Sequence, residues 1–73
     1  MSYEDILSQH GWSFLKKEFC GACSGYKFLY TCEAKPDKMI EVKPNKNTFA
    51  VRVNGRKTIT AFISKIEETL KKI

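Results

Sequence analysis

Long apolar runs are missing from this chain, and none approaches the roughly 20 residues that a helix needs to cross a bilayer. The opening Met-Ser-Tyr-Glu-Asp is acidic and carries no apolar stretch of the secretory type, so a cytoplasmic protein without a membrane partner is expected. Glycine and proline are scarce, four and two in 73 residues, and no low-complexity tract occurs, which argues against a disordered segment. Histidine occurs once. His10 has no nucleophile in a motif near it, and neither H-E-x-x-H nor G-x-S-x-G is present. No pair of carboxylates has the aromatic surroundings that acid–base chemistry uses. Asn54-Gly55-Arg56-Lys57-Thr58 brings glycine and lysine near threonine but lacks the G-x-x-x-x-G-K spacing that wraps a triphosphate. A chain of 8.4 kDa also has no room for a dinucleotide-binding domain or a barrel. One domain over residues 1–73 is expected, not an enzyme and without a cofactor.

What is present suits a small folded domain, with 42% hydrophobic and 12% aromatic residues. Ile59, Phe62, Ile63, Ile66, Leu70 and Ile73 recur at helical spacing, with Lys65, Glu68, Lys71 and Lys72 on the other side. This predicts an amphipathic helix from about residue 60 to residue 72, with Thr58 or Thr60 as its N-cap. Glu67 and Glu68 precede Lys71 and Lys72 by four residues, the favourable order for exposed pairs.

The middle of the chain alternates. Tyr26, Phe28, Tyr30 and Cys32 share one side of a strand, and Lys27, Leu29, Thr31 and Glu33 the other. Pro36-Asp37 reads as a turn, followed by a strand from Met39 to Lys43. Pro44-Asn45-Lys46-Asn47 is a second turn, and Thr48 to Val53 a strand with Phe49, Val51 and Val53 inward. Asn54-Gly55 is a strong hairpin signal. It either folds Arg56–Ile59 back as a strand or only redirects the chain into the helix. At the start, Tyr3, Ile6, Leu7 and His10 have helical spacing, Ser2 can cap, and Gly11 is a natural stop. Trp12 to Phe19 is taken as a strand, because continuing the helix through Gly11 would cost about 1 kcal/mol. The expected fold is therefore α+β in α-β-β-β-β-α order: an antiparallel sheet of three to four strands with both helices packed on one face.

The net charge of +5 has a definite place. Lys35, Lys38, Lys43, Lys46, Arg52, Arg56 and Lys57 face only Asp37 and Glu41 in that segment, while the rest of the chain balances six cations against six acids. A basic hairpin over 43–57 is the leading candidate site, with Lys43, Lys46, Arg52, Arg56 and Lys57 meeting phosphates or carboxylates. Its partner would be nucleic acid or an acidic protein, and contact with nucleic acid would be backbone-directed and largely independent of base sequence. The same lysines also serve as plain solubilising charge. The rival expectation is a protein-interaction or homodimerisation domain using the sheet face away from the helices, where Leu29 is the apolar residue.

Cys20 and Cys23 have the spacing of a metal knuckle with glycines around them. A zinc site of four protein ligands would have to recruit Cys32 and His10 as well, using every cysteine and histidine in the chain. Cys32 is in phase with Tyr26, Phe28 and Tyr30, as a small core residue would be. No helix follows the pair, which removes the usual setting of a redox Cys-x-x-Cys. Reduced thiols and no metal are expected.

The element order, with His10-Gly11-Trp12 between first helix and first strand, resembles small α-β-β-β-α domains that grip double-stranded RNA, the HicA-type toxins among them. The catalytic histidine that such toxins carry in their first hairpin has no counterpart, since Cys23 and Ser24 occupy that loop. No residue role is carried over from them.

Overall fold

Ser2 opens the first helix. Its hydroxyl oxygen accepts the Asp5 N–H at 3.4 Å, and α1 runs Tyr3–Gln9 with Glu4 and Asp5 in the first turn, where the positive helix end favours acids. The computed structural model describes residues 2–21 and 25–73, with the backbone alone at Cys20. The helix ends in a Schellman motif: the Trp12 N–H donates to the Leu7 carbonyl at 2.9 Å, and the Gly11 N–H to the Ser8 carbonyl at 3.0 Å. That motif needs a left-handed residue, and Gly11 supplies it with φ of +86°. Leu7 and Trp12, the two side chains such a cap brings together, are both in the core.

Five strands follow and pair in chain order as an antiparallel meander: β1 Ser13–Cys20, β2 Gly25–Cys32, β3 Lys35–Lys43, β4 Thr48–Val53 and β5 Arg56–Phe62. The sheet thus has one strand more than the largest number expected, and β1 and β5 are its edges. The added strand comes from the Asn54-Gly55 turn. Both residues have positive φ, 54° and 82°, as a two-residue hairpin matched to strand twist requires, and Val53 then stands opposite Arg56. Five strands also depart from an α-β-β-β-α order.

Two boundaries differ from expectation. The last helix does not start near residue 60: the chain stays extended through Phe62, makes a 3-10 turn at Ile63–Lys65, and only then forms α2, Ile66–Lys72. Thr58, Ile59 and Thr60 are β-branched and suit a strand, while Ile59 and Ala61 alternate inward onto the core. Thr58 caps no helix, and its hydroxyl instead donates to the Val51 carbonyl at 3.1 Å. Pro36-Asp37 is not the turn either. The chain reverses at Glu33-Ala34, and Pro36 and Asp37 lie inside β3 where its register with β2 slips, Thr31 facing Met39 but Cys32 facing Lys35. Residues 13–20 are strand, as expected, with an irregularity between Phe14 and Lys16 that accounts for their imperfect alternation.

Both helices cover the same face. Leu7 of α1 and Ile66 and Leu70 of α2 join Tyr30, Ile40, Val42, Phe49 and Val51 of the central strands in one buried cluster. No helix among the described residues is long and apolar enough to cross a membrane.

Candidate anion-binding face

Strand register decides which charges share a surface. Tyr30, Ile40, Val42, Phe49 and Val51 point at the helices, so their neighbours along each strand point to the opposite face. On that uncovered face one row runs Lys16, Leu29, Glu41, Ala50 and Thr60 across all five strands. On one side of it Glu18 pairs with Lys27, and Lys43, Thr48 and Phe62 continue across β3, β4 and β5. On the other lie Thr31, Met39, Arg52 and Lys57. Lys16, Lys27, Lys43, Arg52 and Lys57 therefore share this face with Glu18 and Glu41, and Asp37 joins them at its edge beside Arg52. The helices opposite carry the exposed acids Glu4, Asp5, Glu67 and Glu68 in their first turns, and Lys71 and Lys72 in the last turn of α2.

A chain of ion pairs crosses the face. Lys16 approaches Glu18 at 3.4 Å, Glu18 approaches Lys27 at 3.9 Å, and Lys27 approaches Glu41 at 3.9 Å. Arg52 Nε donates to Glu41 Oε1, and Arg52 Nη1 donates to the Gly55 carbonyl at 3.0 Å. Glu41 is only 3% exposed, so its charge is held by these two cations rather than by water. These bonds use two of the five Arg52 N–H groups and leave three without a bond among the described residues. Lys43 and Lys57 enter no ion pair among the described residues. Beside Arg52 the register slip opens a cleft of about 270 Å³, lined by Thr31, Asp37, Lys38, Met39, Arg52 and Asn54 among others.

Of the residues singled out in the sequence, Lys43, Arg52 and Lys57 come together on this face. Lys46 sits apart in the exposed 3-10 turn Pro44–Lys46, and Arg56 stands opposite Val53 on the helix side of the sheet. Segment 43–57 is thus one strand with a turn at each end, and its basic residues are spread along it. Lys16 and Lys27, which lie outside that segment, complete the face. Alternation in β2 already marked Lys27 as opposite to the aromatic side, whereas Lys16 depends on the irregularity in β1.

Phe62 changes the chemistry of the face. It is 63% exposed and stands opposite Thr48, in the row that continues from Lys43. Its expected place was the inner stripe of a helix. An exposed ring among cations is a surface on which a base can stack. Leu29, by contrast, is 3% exposed and so offers no apolar surface of its own on that face.

The zinc arrangement does not assemble. Cys20 lies opposite Gly25 at the start of β2 and Cys32 ends that strand, about 24 Å away along it. No single ion spans that distance with bonds of about 2.3 Å. Cys32 is buried beside Leu7 and Trp12, and His10 belongs to the same end of the molecule as the α1 cap. Cys23 falls outside the described residues. No group of three or more histidine, cysteine or acidic side chains poised for a metal occurs among the described residues.

Comparison with family models, with curated proteins and with solved structures finds no match to this chain.

Proposed function

We propose that the protein is a non-catalytic binding module whose uncovered sheet face takes a polyanion, with the phosphate backbone of a nucleic acid the class that fits. The observation that carries this is the placement of Lys16, Lys27, Lys43, Arg52 and Lys57 on one face, away from the acidic first turns of both helices. Strands space such cations about 5 Å apart across the sheet and about 7 Å apart along it, and a flexible phosphodiester chain matches that spacing. Lys43 and Lys57, in no ion pair among the described residues, make the first contacts, and Arg52 adds a donor fork whose orientation Glu41 fixes. Phe62 supplies a stacking surface without base-specific hydrogen bonds, so binding favours unpaired strands and is tolerant of sequence.

Titration of short single-stranded RNA and duplex RNA at two salt concentrations tests this. Binding should weaken steeply with salt, as counterion release demands, and single strands should bind more tightly than duplex. Binding that is absent at low salt, or indifferent to salt, refutes the proposal.

A further inference from the structure

Among the described residues, four of the five exposed large hydrophobic side chains lie at one edge of the sheet: Phe14, Leu15 and Phe19 on β1, and Tyr26 beside them on β2. Phe19 is 72% exposed and meets Tyr26 edge to face at 5.8 Å, so the pair forms a standing apolar ridge. Among the described residues β1 pairs only with β2, which leaves the outer backbone donors and acceptors of an eight-residue strand without partners there. We infer that this edge is the contact with a second copy of the chain, β1 pairing antiparallel to its symmetry mate about a two-fold axis at Lys17.

Symmetry and charge select that register. A two-fold axis that joins two antiparallel edge strands stands perpendicular to the sheet, so opposed residues point to the same side. Centred on Lys17, it sets Lys16 against Glu18 of the other copy twice over, and brings Leu15, at the irregularity of β1, to the level of Phe19 twice over. Moving the centre by one residue sets Lys16 against Lys16, or Glu18 against Glu18. Only the Lys17 register opposes acid with base and apolar with apolar. The Lys17 pair on the axis is tolerable because its ammonium lies 4.5 Å over the Tyr26 ring of its own chain. The other edge offers no such match: β5 carries Arg56 and Lys57 with no acid. Because the axis is perpendicular to the sheet, the two uncovered faces lie on the same side of the dimer and form one continuous ten-stranded surface.

Sedimentation velocity on the full chain without nucleic acid, from micromolar to near-millimolar concentration, is expected to show a monomer–dimer equilibrium. Lys16→Glu and Glu18→Lys each oppose like charges at both crossings and are expected to weaken association roughly tenfold. An equimolar mixture of the two variants opposes unlike charges at both crossings and should recover the dimer. In a Cys20→Ser, Cys23→Ser background, Lys17→Cys should oxidise readily to a linked dimer, since facing Cα atoms about 4.5–5.5 Å apart suit a disulfide. Phe19→Cys, which faces Leu15 instead, should not. A monomer at all concentrations, a mixture no more associated than its components, or cross-linking at position 19 rather than 17 overturns the proposal. Nucleic acid is absent from every arm, so failure here leaves the anion-binding proposal standing, and the reverse holds too.

Discussion

Glu41 on β3 accepts a hydrogen bond from Arg52 Nε on β4, and this buried carboxylate sits in the middle of the sheet face that no helix covers. A charge so placed is paired or it is costly. Removing one partner of such a pair leaves the other stranded, at about 3–5 kcal/mol, whereas replacing both with apolar groups of similar size is far milder. Arg52→Ala should therefore destabilise the fold by about 3 kcal/mol in urea denaturation, with Lys27 at 3.9 Å limiting the loss. The double variant Glu41→Leu, Arg52→Met should lose less than Arg52→Ala alone. An additive or larger loss in the double variant would show that the pair stabilises more than it costs.

Gly11 should resist substitution for a conformational reason and not a steric one. A Cβ there would meet only Cys32 Sγ, at an ordinary 3.8 Å, but the backbone has φ of +86°. Gly11→Ala should cost about 1–2 kcal/mol in thermal or urea unfolding, and Gly11→Asn less, because asparagine visits the left-handed region more readily. Equal losses for the two would put the cause elsewhere.

Much of this architecture is legible residue by residue. Ser2 and Gly11 bracket α1, the alternation of Tyr26 to Cys32 marks β2, and Asn54-Gly55 marks a hairpin, because each rests on local backbone preference. The β5–α2 junction is not legible in the same way. Ile59, Phe62 and Ile63 keep helical spacing with Ile66 and Leu70, yet Ile59 packs inward from a strand while Phe62 points outward. A short stretch that fits both periods is settled by the sheet it can join, which is tertiary information. The candidate site divides likewise. Charge in segment 43–57 is plain in the sequence, but membership of one face depends on register, which admits Lys16 and Lys27 and turns Arg56 away.

The hydroxyl of Tyr30 offers a pH readout of the core. Burial, then the neighbouring Tyr3 and Glu4, pushes its pKa up from 10.0 to about 12. The native state holds this proton where the unfolded chain has released it, so the associated stability is complete below about pH 10 and is lost as pH rises towards 12. Phenolate absorbance should show Tyr30 ionising last, and Tyr30→Phe should blunt the loss of stability above pH 10. Ionisation of Tyr30 at the ordinary value of 10.0 would mean that its surroundings are wet.

The cysteines separate by position. Cys32 is 7% exposed and packs in the core cluster, so Cys32→Ser should cost roughly 1–3 kcal/mol by burying a hydroxyl. Cys20→Ser with Cys23→Ser should leave the melting temperature unchanged, and a chelator should not alter it. Unfolding on chelation would contradict the separation of Cys20 from Cys32 along β2.

Amide chemical-shift mapping during titration with a short single-stranded RNA tests the functional proposal most directly. Shifts should concentrate at Lys27, Lys43, Thr48, Arg52, Lys57 and Phe62, which the register gathers on one face. They should fade as salt is raised. Residues of α1 and α2, on the other side of the sheet, should stay still. Shifts confined to Lys71 and Lys72 at the end of α2, or spread evenly over both faces, would contradict a binding surface on the uncovered sheet.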